Sequence, residues 1–225
     1  QTTRGVSLTQ VIARDSRDRA EFTTRGSKFQ VETTYSGGLL GGNENFQKHV
    51  LNLDWFSPTF SKFVLFSSLK AGVIKTLNVD SDTQSFIPFD ERFIMGGNGI
   101  PYGNALRGYP DNSIGPTTTS GQAVGGNAMA KVTTELRFPL SENPVIYFMT
   151  FAEMGNVWNT SSMSEPFYLK RYGPLSMQKS AGVGIRFFMP GIGLLGFDMG
   201  YGFDDITGDG NPNGWEYTIT FGQTY

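Results

Sequence analysis

The residue that most invites a chemical reading is Arg107, set in the tetrad Leu106-Arg107-Gly108-Tyr109 inside a glycine-rich stretch. A guanidinium presents five donors in a fixed fork and seeks carboxylates. Gly108 beside it lets the backbone turn tightly or take a positive φ. Other candidates are weaker. Asp209-Gly210-Asn211-Pro212-Asn213-Gly214 resembles the opening of a calcium loop, but the twelfth position, where a bidentate Glu is needed, is Thr220. Gly97-Asn98-Gly99 could suggest a phosphate cradle, which needs a strand before it and a helix after it. His49 is the single histidine and there is no cysteine, so a thiolate metal site, a disulfide scaffold, a cysteine nucleophile and a multi-histidine centre are excluded. Lys and Arg number 18 against 20 Asp and Glu, which leaves no basic excess for nucleic acid. These observations predict no enzyme, no cofactor, no metal and no nucleic-acid partner.

The elements that must position Arg107 repeat every two residues. In 130–140, Ala130, Val132, Thr134, Leu136, Phe138 and Leu140 share one parity, and Lys131, Thr133, Glu135, Arg137 and Pro139 the other. In a strand these sets point to opposite faces. The split recurs in 180–189, 195–203 and 217–225, and the second face carries charge, Thr and Gly. His49 shares a parity with Leu51, Leu53 and Trp55, which reads as an interfacial side chain near the outer end of its strand. Nine strands are predicted, at about 5–15, 27–36, 46–57, 62–74, 127–140, 145–158, 179–189, 194–203 and 215–225, with no helix and no second domain. Several approach the ~9–11 residues of a tilted membrane strand, beyond the usual 5–6. Short and long connections alternate, as in an outer-membrane barrel. The longest, 75–126, carries the tetrad and is too long to be idle. The 29 glycines in 225 residues include Gly182, Gly184, Gly200 and Gly202, which fall on polar faces of neighbouring strands and predict either room for an inserted loop or a tight bend of the wall.

The long connection reads Phe89-Asp90-Glu91-Arg92-Phe93-Ile94-Met95-Gly96-Gly97, then the tetrad, then Ile114-Gly115-Pro116. This resembles the sixth external loop of the BamA superfamily, the outer-membrane barrel-assembly and two-partner secretion proteins. Gly125-Gly126-Asn127-Ala128-Met129-Ala130 and Glu153-Met154-Gly155-Asn156-Val157-Trp158 are similar to the next two strands of that family. Arg14-Asp15-Ser16-Arg17-Asp18 with Thr24-Arg25-Gly26-Ser27 fits a periplasmic turn, and Phe221-Gly222-Gln223-Thr224-Tyr225 fits the C-terminal β-signal. Five motifs in the right order cover essentially the whole chain.

The resemblance implies an all-β, antiparallel transmembrane β-barrel, of which residues 1–225 form the C-terminal nine strands out of about 16. An odd strand count leaves the first and last strands parallel, so this segment does not close by itself. Gln1-Thr2-Thr3-Arg4 offers no leader, which reads as a leader already removed or a chain starting within something larger. By resemblance, the loop folds into the lumen, Arg107 pairs with Glu135 and Glu153, and Tyr109 packs the tip against the wall. Phe221, Gly222 and Tyr225 belong to the β-signal and to one side of a lateral seam. The implied role is insertion of β-barrel proteins into the bacterial outer membrane, by templating client strands at that seam, with the C-terminus at the periplasmic face. The implied partners are nascent barrel proteins, outer-membrane lipid and lipoprotein subunits of an assembly complex. Other readings are a two-partner secretion transporter of the same superfamily, a passive pore and, least supported, an outer-membrane hydrolase.

Overall fold

In a computed structural model, described over residues 5–42, 44–77, 87–100, 103–118, 121–160, 176–189, 191 and 193–221, the alternating segments form one antiparallel sheet. Its strands are β1 (Ser7–Asp15), β2 (Gly26–Ser36), β3 (Phe46–Pro58), β4 (Val64–Thr76), β5 (Ala128–Glu142), β6 (Val145–Trp158), β7 (Gln178–Met189), β8 (Gly193–Gly202) and β9 (Gly214–Phe221). Each pairs with its neighbour in sequence, so the order is a simple meander. The predicted boundaries hold within two residues, apart from the end of β9. Residues 222–225, including Gly222 and Tyr225 of the β-signal, lie outside the described residues. Two short 3-10 turns, Gly38–Leu40 and Phe89–Glu91, are helical segments that the alternation did not reveal.

The pleat sorts side chains as expected. Thr133, Glu135 and Arg137 of β5 are buried on the inner face, with Glu153 of β6, Arg186 of β7 and Asp198 of β8. The opposite parity carries exposed Leu69, Phe197, Trp215, Tyr217, Ile219 and Phe221. An apolar, aromatic outer face against a charged inner face is the pattern of a strand with lipid outside and a polar interior. His49 lies on the outer parity and its Nδ1 sits 3.0 Å from the Thr33 hydroxyl directly across the sheet.

Two apolar clusters sit on the inner face. One gathers Phe46, Ile74 and Met129 of the sheet around Phe93, Met95, Leu106, Tyr109 and Ile114 of the long loop. The other holds Phe56, Val64, Phe66, Tyr147, Met149 and Leu194 around Phe22. Phe22 belongs to the link 16–25, which is therefore more than a turn. Its Thr23 is also buried, and the Phe22 ring lies 5.0 Å from that of Tyr147. The link is shaped by Asp18, whose carboxylate accepts from the Thr24 hydroxyl and from the Thr24 and Arg25 N–H groups.

A loop clamp on the inner wall

The long loop has its own backbone framework. Asn104 N–H donates to Ile94 O (2.7 Å), Ile114 N–H to Met95 O (2.9 Å), Gly97 N–H to Tyr109 O (3.0 Å) and Leu106 N–H to Gly97 O (3.2 Å). Met95 thus runs between two partner segments, and the chain at 94–97 braces the tetrad from behind. The loop is joined to the sheet by reciprocal Phe93–Gly126 hydrogen bonds and by Lys48, whose ammonium lies 2.9 Å from Glu91. The glycines at 96–99 serve close backbone approach: a side chain at Gly97 would run into Asp111, which accepts from the Asn98 N–H at 2.9 Å.

Arg107 is 3% exposed, between three strands. One terminal nitrogen, Nη2, donates to Glu135 Oε1 and to Glu153 Oε1, each at 2.7 Å. The other, Nη1, lies 3.5 Å from Asp198 Oδ1. Its backbone N–H donates to Glu153 Oε2 at 2.9 Å, so Glu153 grips the tetrad by side chain and main chain together. The guanidinium also stacks on Phe151, 3.7 Å from the ring centroid, a contact that strengthens when desolvated. The six residues singled out around the tetrad, Leu106, Arg107, Gly108, Tyr109, Glu135 and Glu153, are brought together in one cluster. Phe221 is not part of it and stands exposed at the end of β9.

Each carboxylate around Arg107 also has a cation of the wall. Arg137 reaches Glu135 Oε2 through Nε (2.8 Å) and Nη2 (2.7 Å), and stacks on Phe66 with 4.1 Å to the centroid. Lys131 lies 3.0 Å from Glu153, which also accepts from the Thr133 hydroxyl. Arg186 holds Asp198 in a fork at 2.9 and 2.8 Å. Three carboxylates therefore face four cations, all on rigid strands except Arg107. Charges this deep persist only when paired and hydrogen-bonded. The cluster is built to hold a loop.

The wall is shaped for the tetrad by glycine. Gly108 has φ +85°, and a Cβ on it would lie 2.9 Å from Ser180 Cβ. A Cβ at Gly200 would lie 2.8 Å from Gly108 N, one at Gly202 would strike the Gly108 carbonyl oxygen, and one at Gly182 would lie 2.6 Å from the Phe151 ring that supports Arg107. Gly182 clears the Phe151 ring and the β8 backbone at Met199, and Gly200 and Gly202 make room for the inserted loop. Gly184 does not. It faces Asp198, and Gly196 faces Arg186, so each glycine leaves space for the charged side chain opposite. Tyr109 is buried, and its hydroxyl lies 2.6 Å from Lys179 O and 3.1 Å from Asp204 Oδ2. Burial pushes this hydroxyl well above its ordinary pKa, so it remains a donor.

Asp198, Arg186, Arg137 and Lys131 complete the ion-pair cluster and are passed over by motif reading. Their signal was their parity: each is a charged residue on the polar face of its strand. At the calcium-like segment, Asp209 accepts from Asn211 N–H (2.9 Å) as a turn residue, and among the described residues no group of three or more potential ligands is assembled.

The Omp85 superfamily domain matches residues 2–224. The chain belongs to the Omp85 superfamily. It is 26% identical over 215 residues to the outer membrane protein assembly factor BamA of Nitratidesulfovibrio vulgaris, covering 95% of this chain and 25% of that protein. It is 29% identical over 153 residues to the assembly factor BamA of Neisseria meningitidis serogroup B, covering 65% of this chain and 18% of that protein. The Omp85 chain thus spans about a quarter or less of the length of these curated relatives. The crystal structure of BamA from Haemophilus ducreyi lacking POTRA domains 1–3 has the same fold, with a TM-score of 0.75 at 21% identity, over 96% of this chain and 42% of that one.

Proposed function

We propose that the protein containing this segment is an outer-membrane assembly factor that folds and inserts β-barrel proteins, and that residues 1–225 are the C-terminal part of its single barrel of about 16 strands. The observation that carries this reading is the Arg107 clamp, in which a long loop is fixed across β5, β6 and β8 by buried ion pairs. Such a clamp performs no bond chemistry. It sets the shape of a wall, which is what a machine acting through strand pairing requires. A barrel in lipid tolerates no open edge, so a seam beside β9 that opens presents main-chain donors and acceptors to a client strand. Phe221, Gly222 and Tyr225 form the end of that edge, at the periplasmic face. The clients are nascent barrel proteins, and the partners are outer-membrane lipid and lipoprotein subunits. The similarity to two proteins named as outer membrane protein assembly factors supports the role.

The test is complementation in cells depleted of the native protein. Deleting Leu106–Tyr109 is expected to reduce the folded, heat-modifiable outer-membrane barrels and raise periplasmic stress. Normal barrel levels, with the deletion variant present in the membrane at parental amount, would sink the proposal.

A further inference from the structure

The tetrad that clamps the wall also touches the connection between β8 and β9 at both of its ends. Asp204, two residues beyond β8, meets Tyr109: its carboxylate lies 3.1 Å from the phenol, and its N–H donates to the same oxygen at 3.3 Å. Asn213, the residue before β9, donates its side-chain N–H to the Gly108 carbonyl at 3.0 Å. The neck between these two is closed by Asn213 N–H donating to Asp204 O at 3.2 Å. Ile206, inside the connection, packs against the cluster that holds Leu106 and Tyr109. The same loop reaches β9 itself through Asn98, whose Nδ2 lies 3.5 Å from Ile219 O.

β9 has few alternatives to this support on its inner face. Its inward residues Gly214, Glu216 and Thr220 stand opposite Gly202, Gly200 and Gly196, so cross-strand side-chain pairs, the usual stabilising unit of a sheet, are missing at three of four positions. Two of these three, Gly200 and Gly202, are the glycines that make room for Gly108, so seating the loop and leaving β9 poorly held go together.

We propose that the tetrad sets the position of the outer end of β9, with Asn213 and Asp204 as positioning residues that couple loop docking to the last strand. Its functional meaning rests on the reading of β9 as one flank of the seam: a docked loop holds the strand in register, and a released loop frees its outer end.

Hydrogen–deuterium exchange of the full-length protein in lipid nanodiscs tests this. Asn213→Leu removes the donor at similar volume, and Tyr109→Phe removes the phenol while keeping the ring. A net neutral hydrogen bond of ~1 kcal/mol corresponds to about a fivefold change in an equilibrium. Each variant should therefore speed exchange at residues 214–217 by about fivefold, leaving β5 and β6 at parental rates. Asn211→Ala, in the same connection and with its backbone N–H on Asp209 rather than on the tetrad, should leave residues 214–217 unchanged. Parental exchange at 214–217 in both variants, or faster exchange spread evenly over the sheet, overturns the proposal. Barrel assembly in cells separates the two layers: faster exchange with undiminished assembly keeps the coupling and removes the seam role of β9.

Discussion

Replacing Arg107 with Ala should undock the loop without unfolding the sheet. The side chain makes two carboxylate contacts at 2.7 Å and one stacking contact at 3.7 Å, all shielded from water. A hydrogen bond to a charged group is worth about 1.5–3 kcal/mol net, so the two at 2.7 Å contribute about 3–6 kcal/mol, and a carboxylate left bare would add to that. Here Arg137, Lys131 and Arg186 stay with the three carboxylates, so the wall is not left with bare charge. The loss then falls on loop docking alone. At tenfold per 1.4 kcal/mol it amounts to about two to four orders of magnitude in the docked-to-free ratio. Amide exchange reads this directly at residue 107, whose N–H donates to Glu153 of the wall, whereas the Gly97 and Leu106 N–H groups donate within the loop and report on its own framework. Protection at residue 107 should fall by that factor while amides of β5 and β6 hold theirs, and protease should cut within 95–109. Protection within threefold of the parent would show that the ion pairs do not hold the loop. Equal loss in β5 and β6 would show that wall and loop open as one unit.

Gly202→Ala and Gly200→Ala should each displace Gly108 and expose the loop to protease, at an overpacking cost of about 1–3 kcal/mol, while Gly191→Ala, where a Cβ meets open space although φ is +88°, should leave the loop docked. Phe22→Ala should lower the unfolding midpoint in detergent by removing the centre of the second apolar cluster, about 3–5 kcal/mol, and should leave loop protection unchanged. If loop protection falls as well, the two clusters are not independent. For pH, the carboxylate of Asp205 is held below its ordinary value of 3.8 by the N–H groups of Gly210 and Gly208. A lowered folded pKa means that the connection is fully stabilised above 3.8 and loses that stabilisation as pH falls through the lowered value. NMR shifts of Gly208 and Gly210 should titrate with a midpoint below 3.8, and a midpoint at or above it refutes the assignment.

The sheet was legible because its alternation is strict: Lys131 to Arg137 could be assigned to one face from sequence, and the structure buries that face. The loop clamp was legible only through motif resemblance, because nothing in local propensity says that Arg107 meets residues 28 and 46 positions away. Asp198 and Arg186 stayed hidden because their pairing depends on β7–β8 register, which a glycine-rich segment does not reveal. The inward packing of the link 16–25 was not legible: Phe22 lies within a polar segment, and only tertiary packing decides that its ring turns inward. The connection 204–213 looked like a surface turn, since its contacts to Gly108 and Tyr109 are nearly a hundred residues distant or more.

The diagonal exchange between β7 and β8 has a consequence for how those strands find each other. Glycine-rich pairs specify alignment weakly, since flat, featureless faces slide. Gly184 opposite Asp198 and Arg186 opposite Gly196 form a lock with two keys, each filling the gap left by the other strand. A slip of two residues would shift β8 by about 6–7 Å along β7. It would carry Gly200 and Gly202 away from Gly108 and close the seat of the tetrad. The salt bridge between Arg186 and Asp198 thus marks the alignment of the hairpin on which the tetrad sits.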